Sequence, residues 1–369
     1  MTDTNALHAA AMEQVETALV ARLGHDHARA ALLFKEALRL ELEALGALPP
    51  EHLEPTRSIL RRSAATLALD CNDPALAERL VAQGLADDAP PSVAEELRDL
   101  MEQVHFRRHL LLRGVTLGDD ELQMSLAGQG VGFGVVSGAE FLQRVEDTSR
   151  VIYRIAERRR SLPFRETGRM RKSVSEDYEL YVSVPRAASF AVTLKLGRPT
   201  QQERMPELVD TPDIVDEFMD LMTLVDHADY KTIQERIPDQ AYRTNFLQLA
   251  KKLAPDGDEV RLVGFTSVRH GVERFVEVTR PKARVVATDS APEAGKPTKV
   301  QVHGVLRFAD ATQRTGQIKI VEAGTGKLHQ VKVPEGMMSD IVKPLWDCEV
   351  VITGTIRNRV ILLEDIEAQ

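Results

Sequence analysis

Apolar residues recur every three to four positions through the first 113 residues and every second position through much of the last 70. The first rhythm is that of a helix with one buried face, and the second that of a half-buried strand. Ala30, Leu33, Ala37, Leu40 and Ala44 form one stripe on a helix predicted over 27–45. A helix over 5–23 precedes it and stops at Gly24. Pro49-Pro50 breaks the chain. Helices over 54–69 and 74–85 follow, with Asn72-Asp73-Pro74 as the turn between them. Pro90-Pro91 opens a fifth, carrying Val93, Leu97, Leu100, Met101 and Val104. Short polar connections make such helices antiparallel neighbours.

The rhythm changes at Glu121, where Leu122, Met124 and Leu126 alternate as in a strand. Gly128, Gly130, Gly132 and Gly134 come next, then Ser137-x-x-Glu140, a capping-box pattern for a helix running to about Arg160. Tyr178–Val184 and Ser189–Gly197 read as two strands joined by Pro185-Arg186-Ala187-Ala188. Thr211-Pro212 starts a helix whose buried stripe is Ile214, Phe218, Leu221 and Val225. A second helix covers 240–253, and residues 258–268 and 273–280 add a further strand pair to the same sheet. Thr288–Lys299 is a linker by composition. Strands over 300–308, 317–321 and 328–333, a short helix around 335–342, and strands over 349–353 and 357–363 complete the chain. The expected division is a helical domain 1–115, a mixed α/β domain 116–288, a linker 289–299 and a small barrel 300–369.

The stretch from Ser63 to Leu97 resembles a tetratricopeptide unit. Ala64, Ala65 and Ala68 let helices approach closely, and Ala77 and Leu80 face back. The resemblance implies stacked hairpins that hold a peptide or a protein. The last 70 residues resemble an OB-fold in the order of their elements: three strands, a helix, then two strands. That resemblance implies a barrel able to bind single-stranded nucleic acid through basic grooves and exposed aromatics. Arg307, Lys319, Lys332, Arg357 and Arg359 supply charge there. Phe308 shares the alternation of Val302 and Leu306, so it is expected in the core, as is Trp346, the single tryptophan. The chain as a whole resembles uncharacterised bacterial multidomain proteins that join such modules. The expected fold class is multidomain, α and α+β.

Charge refines this picture. The chain carries a net −9, so a nucleic-acid site has to be local. Residues 1–113 hold 12 basic and 18 acidic residues, which points that region towards proteins rather than phosphates. Arg150–Lys172 holds nine Arg or Lys and two Glu, whereas Glu203–Asp229 holds one Arg and nine acids. Two readings of the basic stretch follow. In one, Arg158, Arg159, Arg160, Arg165, Arg169, Arg171 and Lys172 form an anion- or nucleic-acid-binding arm on a loop opened by Ser161–Pro163. In the other, Arg158–Arg160 sit at a helix C-terminus that favours cations, and the stretch is neutralised by its acidic neighbour.

Catalytic signatures do not emerge. The glycine run is GxGxGxG with no following Lys-Ser/Thr, so it reads as a turn rather than a phosphate loop. His105 and His109 stand four apart, with two Arg between them and no third ligand, which speaks against a metal. Cys71 and Cys348 form no framework and fit reduced thiols in the cytoplasm. No apolar run reaches membrane-spanning length, so no membrane partner is expected. The functional expectation is a non-enzymatic cytoplasmic adaptor, with no cofactor, that binds a protein partner through the helical region. The alternative is a nucleic-acid-binding accessory protein using residues 150–172 and the barrel.

Overall fold

The computed structural model describes residues 4–24, 26–48, 54–87, 89–107, 117–128, 136–166, 171–183, 190–197, 210–255, 260–278, 298–310, 315–357 and 360–368. These contain both helices and sheets, in two compact units, Met1–Thr116 and Leu117–Gln369. The linker expected at 289–299 lies outside the described residues, apart from the first residues of a strand.

The first unit consists of α1 (Thr4–Leu23), α2 (His27–Gly46), α3 (Thr56–Asp70), α4 (Pro74–Ala86) and α5 (Pro91–Arg107). Its core is rich in alanine: Ala18, Ala30, Ala37, Ala64, Ala65, Ala68 and Ala77 surround Phe34, Leu80, Leu97 and Leu100. Small side chains let helix backbones come close. Asp26 and Asp73 cap α2 and α4 by accepting from the backbone N–H of Arg29 and Leu76, the role their short carboxylates suit. The stripe on α2 is centred on Phe34, Ala37, Leu38 and Glu41. The Glu41 carboxylate, fully buried, is held by His8 Nδ1 at 2.9 Å.

The second unit opens with β1 (Glu121–Ala127), α6 (Gly138–Arg159), the short α7 (Lys172–Asp177), β2 (Leu180–Val182) and β3 (Phe190–Leu196). Next come α8 (Thr211–Asp226), α9 (Tyr230–Arg236), α10 (Gln240–Leu253), β4 (Leu262–Arg269) and β5 (Val272–Glu277). The sheet order is β2-β3-β1-β4-β5, antiparallel throughout. Leu122, Met124 and Leu126 of β1 join Phe265 of β4 and the α8 residues Ile214, Phe218 and Leu221 in the core. The Phe218 and Phe265 rings meet edge to face at 4.9 Å. The expected capping box on α6 does not form. Ser137 makes no side-chain cap bond, and the Glu140 carboxylate, the other half of the box, turns down the helix to Arg144.

The barrel strands are β6 (Thr298–Asp310), β7 (Gly316–Glu322), β8 (Leu328–Val333), β9 (Glu349–Arg357) and β10 (Val360–Ala368). They close in the order β10-β8-β7-β6-β9, with β8 and β10 parallel and the other pairs antiparallel. A π-turn at Met338–Val342 and a 3-10 turn at Lys343–Leu345 lie between β8 and β9. Ile318, Ile320, Val331, Val333, Ile352 and Ile361 fill the barrel, and they belong to the same hydrophobic cluster as the sheet and its helices. Barrel and sheet layer are therefore parts of one packed body.

The joint between them is polar. Arg154 of α6 donates through Nε to Asp340 Oδ2 at 2.8 Å, and Asn245 Nδ2 of α10 donates to the same oxygen at 2.9 Å. Asn245 Nδ2 also donates to the carbonyl of Gly336 at 2.8 Å. Gly336 has φ +92, and a Cβ there would run into the carbonyl of Ala241 in α10. Only a residue without a side chain fits both the backbone angle and the gap. Gly336→Ala is expected to lower unfolding free energy by at least about 2 kcal/mol, read as a shift in the urea midpoint. An unchanged midpoint would show that the barrel does not depend on this approach.

Candidate functional site

The basic stretch divides into paired and open residues. Arg158 and Arg159, at the C-terminal end of α6, both engage Glu217 of α8, Arg159 through Nε at 3.1 Å. Arg158 also donates to the carbonyl of Arg236 at 3.0 Å. Arg160 reaches Asp177 at 3.5 Å. Ser161, with φ +54, ends α6. The chain then folds back against the helices instead of projecting as a free loop. Leu162 O accepts from the Tyr242 hydroxyl at 2.9 Å, and the Phe164 ring meets Tyr242 edge-on at 5.0 Å. The Arg154 guanidinium lies 4.2 Å from the centre of the Phe164 ring. Arg165 is exposed, and its carbonyl accepts from Arg154. Lys172 pairs with Glu176 at 3.5 Å and stays exposed. Arg169 lies outside the described residues, as do His109, Gln129–Val135 of the glycine run, Pro185–Ala188 and Arg359.

Three acids of the acidic segment pair with arginines outside the basic stretch. Asp213 and Asp216 meet Arg269 of β4 at 3.1 and 3.4 Å. Asp220 takes Arg274 of β5 at 2.6 Å and Arg236 of α9 at 2.7 Å. The two oppositely charged segments touch at Glu217.

Behind the basic stretch, the joint holds several buried charges. Arg154, 6% exposed, bonds Glu157 at 2.9 Å as well as Asp340, itself 7% exposed. Arg150 donates to Asp147 at 2.9 Å and to the carbonyl of Asp340 at 3.3 Å. The Glu166 carboxylate accepts from the backbone N–H of Gly336. Burial pushes the Glu166 carboxyl up from its ordinary value, against the pull of the Gly336 and Met338 N–H groups and Arg154. Burial likewise raises Asp147 and lowers Lys252. A small cavity of about 10 Å³, lined by Arg154, Arg158, Tyr242, Asn245 and Phe246, lies beside these groups. That is room for one water and no substrate. The cluster fastens the sheet layer and the barrel together.

The barrel carries a more open surface. The sequence alternation puts Phe308 inside, but a bulge between Leu306 and Phe308 shifts the pairing with β7. One extra residue reverses which side chains face in. Leu306 stays buried, Ala309 takes the next inner place, and Arg307 and Phe308 both turn outwards. Phe308 is 40% exposed, with Lys319 Nζ 4.6 Å from its ring centre. Trp346, also expected in the core, is 50% exposed, because it follows the 3-10 turn at the rim. Its neighbour Asp347 pairs with Arg307. Register places three outward rows across β6, β7 and β8: Val305–Val321–Leu328, Phe308–Lys319–Gln330 and Asp310–Gln317–Lys332. An exposed cation–π contact of this kind is worth only about 0.5–1 kcal/mol, so Lys319 is easily drawn to a stronger partner.

The helical unit shows a second open patch. Val20 and Leu32 are each 68% exposed, and Leu19 is 44% exposed, on the α1–α2 hairpin. The helical spacing that identified the buried stripe gave no notice of these residues.

Two outcomes follow from the buried joint. Removing one partner of a buried ion pair costs about 3–5 kcal/mol. Arg154→Met and Asp340→Leu should each destabilise by that amount, and the double variant by less than the sum, in urea unfolding. Glu166 binds its proton more tightly in the folded chain, so folding is favoured below 4.5 and this contribution fades as pH rises above it. Glu166→Gln should therefore gain stability on the parent as pH rises from 4.5 towards 7, measured by thermal unfolding across that range.

No protein-family model matches the chain, and neither a curated protein nor a solved structure matches it.

Proposed function

We propose that the chain is a non-enzymatic, cytoplasmic adaptor that holds a protein partner on its helical unit. The observation that carries this reading is the trio Leu19, Val20 and Leu32, large apolar side chains left in solvent on the α1–α2 hairpin. Elsewhere in the unit an alanine-rich core forms between closely packed helices, and Ile59 of α3 is the further large apolar residue left 37% exposed among the described residues. Antiparallel hairpins, small residues at the contacts and the Asp73-Pro74 turn support a TPR-like identity for this unit. Residues 1–113 carry 18 acids against 12 bases, so the fitting partner is an amphipathic segment with apolar contacts flanked by Lys or Arg. For the barrel, the strand order β6-β7-β8-β10-β9 and the helical turn between its third and fourth strands support an OB-like identity. Among the described residues, no helix is long and apolar enough to cross a membrane.

A photo-reactive residue placed at position 20 or 32 of the full chain should give one discrete adduct in cells. That adduct should disappear from position 20 when Leu32→Glu is added, and should not form from the exposed position 66. Adducts of equal yield from all three positions would overturn the reading, as would an adduct of twice the chain mass.

A second reading, a nucleic-acid-binding accessory protein, is favoured by one observation: the exposed Phe308 and Lys319 on the barrel.

A further inference from the structure

We propose that Lys252 is an acylation site, whose side-chain amine takes the acyl group of a small activated carbonyl compound. Two cations converge on the π-turn of the barrel. Arg150 of α6 donates to the carbonyl of Asp340 at 3.3 Å, and Lys252 of α10 donates to the next carbonyl, that of Ile341, at 3.4 Å. Consecutive carbonyls thus hold a guanidinium and an ammonium side by side. Arg150 has carboxylates of its own, Asp147 at 2.9 Å and Glu146. The other Asp147 oxygen accepts from Gln143 Nε2 at 2.9 Å. Lys252 is left with one long hydrogen bond and, among the described residues, no ion pair. The adjacent Lys251 is taken by Asp365 and by Glu367 at 2.8 Å.

A guanidinium keeps its proton throughout the range in which proteins fold, so of the two facing cations it is the amine that yields. Burial holds Lys252 below the ordinary lysine value; Asp147, Asp340 and Glu146 pull against it, and Arg150 pulls with it. A desolvated lysine beside a second cation carries more free amine at neutral pH, and the free amine is the nucleophile. Lys252 is only partly buried, so a small donor reaches it from solvent. The shared chemistry of such donors is an acyl carbon bearing a good leaving group, as in an acyl phosphate or an acyl thioester. The Nζ lone pair adds to that carbon and forms a C–N bond. The C–O bond to phosphate, or the C–S bond to the thiol, breaks, and the leaving group departs with the electron pair. The nitrogen gives its extra proton to solvent. The product is a neutral amide that still has an N–H for the Ile341 carbonyl. The joint keeps its hydrogen bond, and Arg150 then faces Glu146, Asp147 and Asp340 without a competing cation.

The test uses the full chain with acetyl phosphate and with acetyl-coenzyme A in separate arms, from neutral pH to about 10.5, where an ordinary lysine is half deprotonated. Remaining amines are capped with deuterated acetic anhydride after denaturation, and peptide mass spectrometry reads the fraction acetylated at each site. Lys172, exposed and paired with Glu176, is the reference. At neutral pH, Lys252 should be acetylated at least about fivefold faster than Lys172, and the ratio should fall as the reference amine is freed at high pH. The arm that reacts identifies the donor, phosphate or thioester. Arg150→Gln removes the facing cation and should slow Lys252 at neutral pH by about twofold or more, with its rate at the highest pH unchanged. Glu146→Gln removes an acid, 59% exposed, that helps to hold the proton on Lys252. It should speed Lys252 at neutral pH and leave the high-pH rate unchanged. Circular dichroism and the urea midpoint establish that the variants fold, and the surface position of Glu146 keeps that arm decisive on its own. A Lys252 rate no greater than that of Lys172 at neutral pH with both donors would overturn the proposal. So would a ratio that stays constant across the pH range, or a neutral-pH rate that Glu146→Gln leaves unmoved.

Discussion

Asp340 is a carboxylate taken out of water, and Arg154 and Asn245 replace the water it lost. Both donate to its Oδ2, at 2.8 and 2.9 Å. The acid belongs to the π-turn of the barrel, and its partners belong to α6 and α10 of the sheet layer. A charge buried this deeply is tolerated only with its partners in place, so the bond fixes how barrel and sheet layer meet. Gly336 follows the same logic in backbone terms. Its N–H goes to Glu166, its carbonyl to Asn245, and its missing Cβ lets α10 come close. Hydrophobic burial makes the two halves stick, and these directional contacts decide the one way in which they do.

The same constraint disposes of most of the basic stretch. Arg150 and Arg154 face inwards to Asp147, Glu157 and Asp340. Arg158 and Arg159 are turned to Glu217 by the next turn of the helix. Positive charge in a sequence is often a solvated face, but here a large part of it builds structure. The acids of α8 show the complement, since arginines from β4, β5 and α9 take Asp213, Asp216 and Asp220. Among the described residues, exposed apolar side chains stand on the α1–α2 hairpin, and an exposed aromatic ring stands beside a lysine on the barrel.

The bulge at Arg307 and Phe308 shows how a local irregularity makes such a surface. A regular β6 would have buried Phe308 and closed the barrel with one more core side chain. The extra residue instead hands the inner position to Ala309 and releases the ring. Stability is given up at one position, and an exposed aromatic beside a cation is gained.

Much of the architecture was legible along the chain. The alternation of Leu122, Met124 and Leu126 marked β1, Asp73-Pro74 marked the start of α4, and the stripe Ile214, Phe218, Leu221, Val225 marked the buried face of α8. Each depends on near neighbours, and periodicity reads such patterns well. The candidate site was less legible. Phe308 follows the period of Val302 and Leu306, and nothing local announces a bulge, which is decided by how β6 pairs with β7. The partner of Arg154 lies 186 residues away, so no spacing rule links it to Asp340. Ser137-x-x-Glu140 looked like a capping box because the pattern is right, but Arg144 one turn on outcompeted the backbone for the carboxylate. The sequence by itself determined most of the longer helices and strands and their apolar faces, since those follow from the residues next to each other, but it gave no notice of the short helices Lys172–Asp177 and Tyr230–Arg236, which carry too few turns to show a period. Tertiary structure alone decided which charges are buried and which rings meet solvent, because both depend on what distant strands and helices bring to the same place.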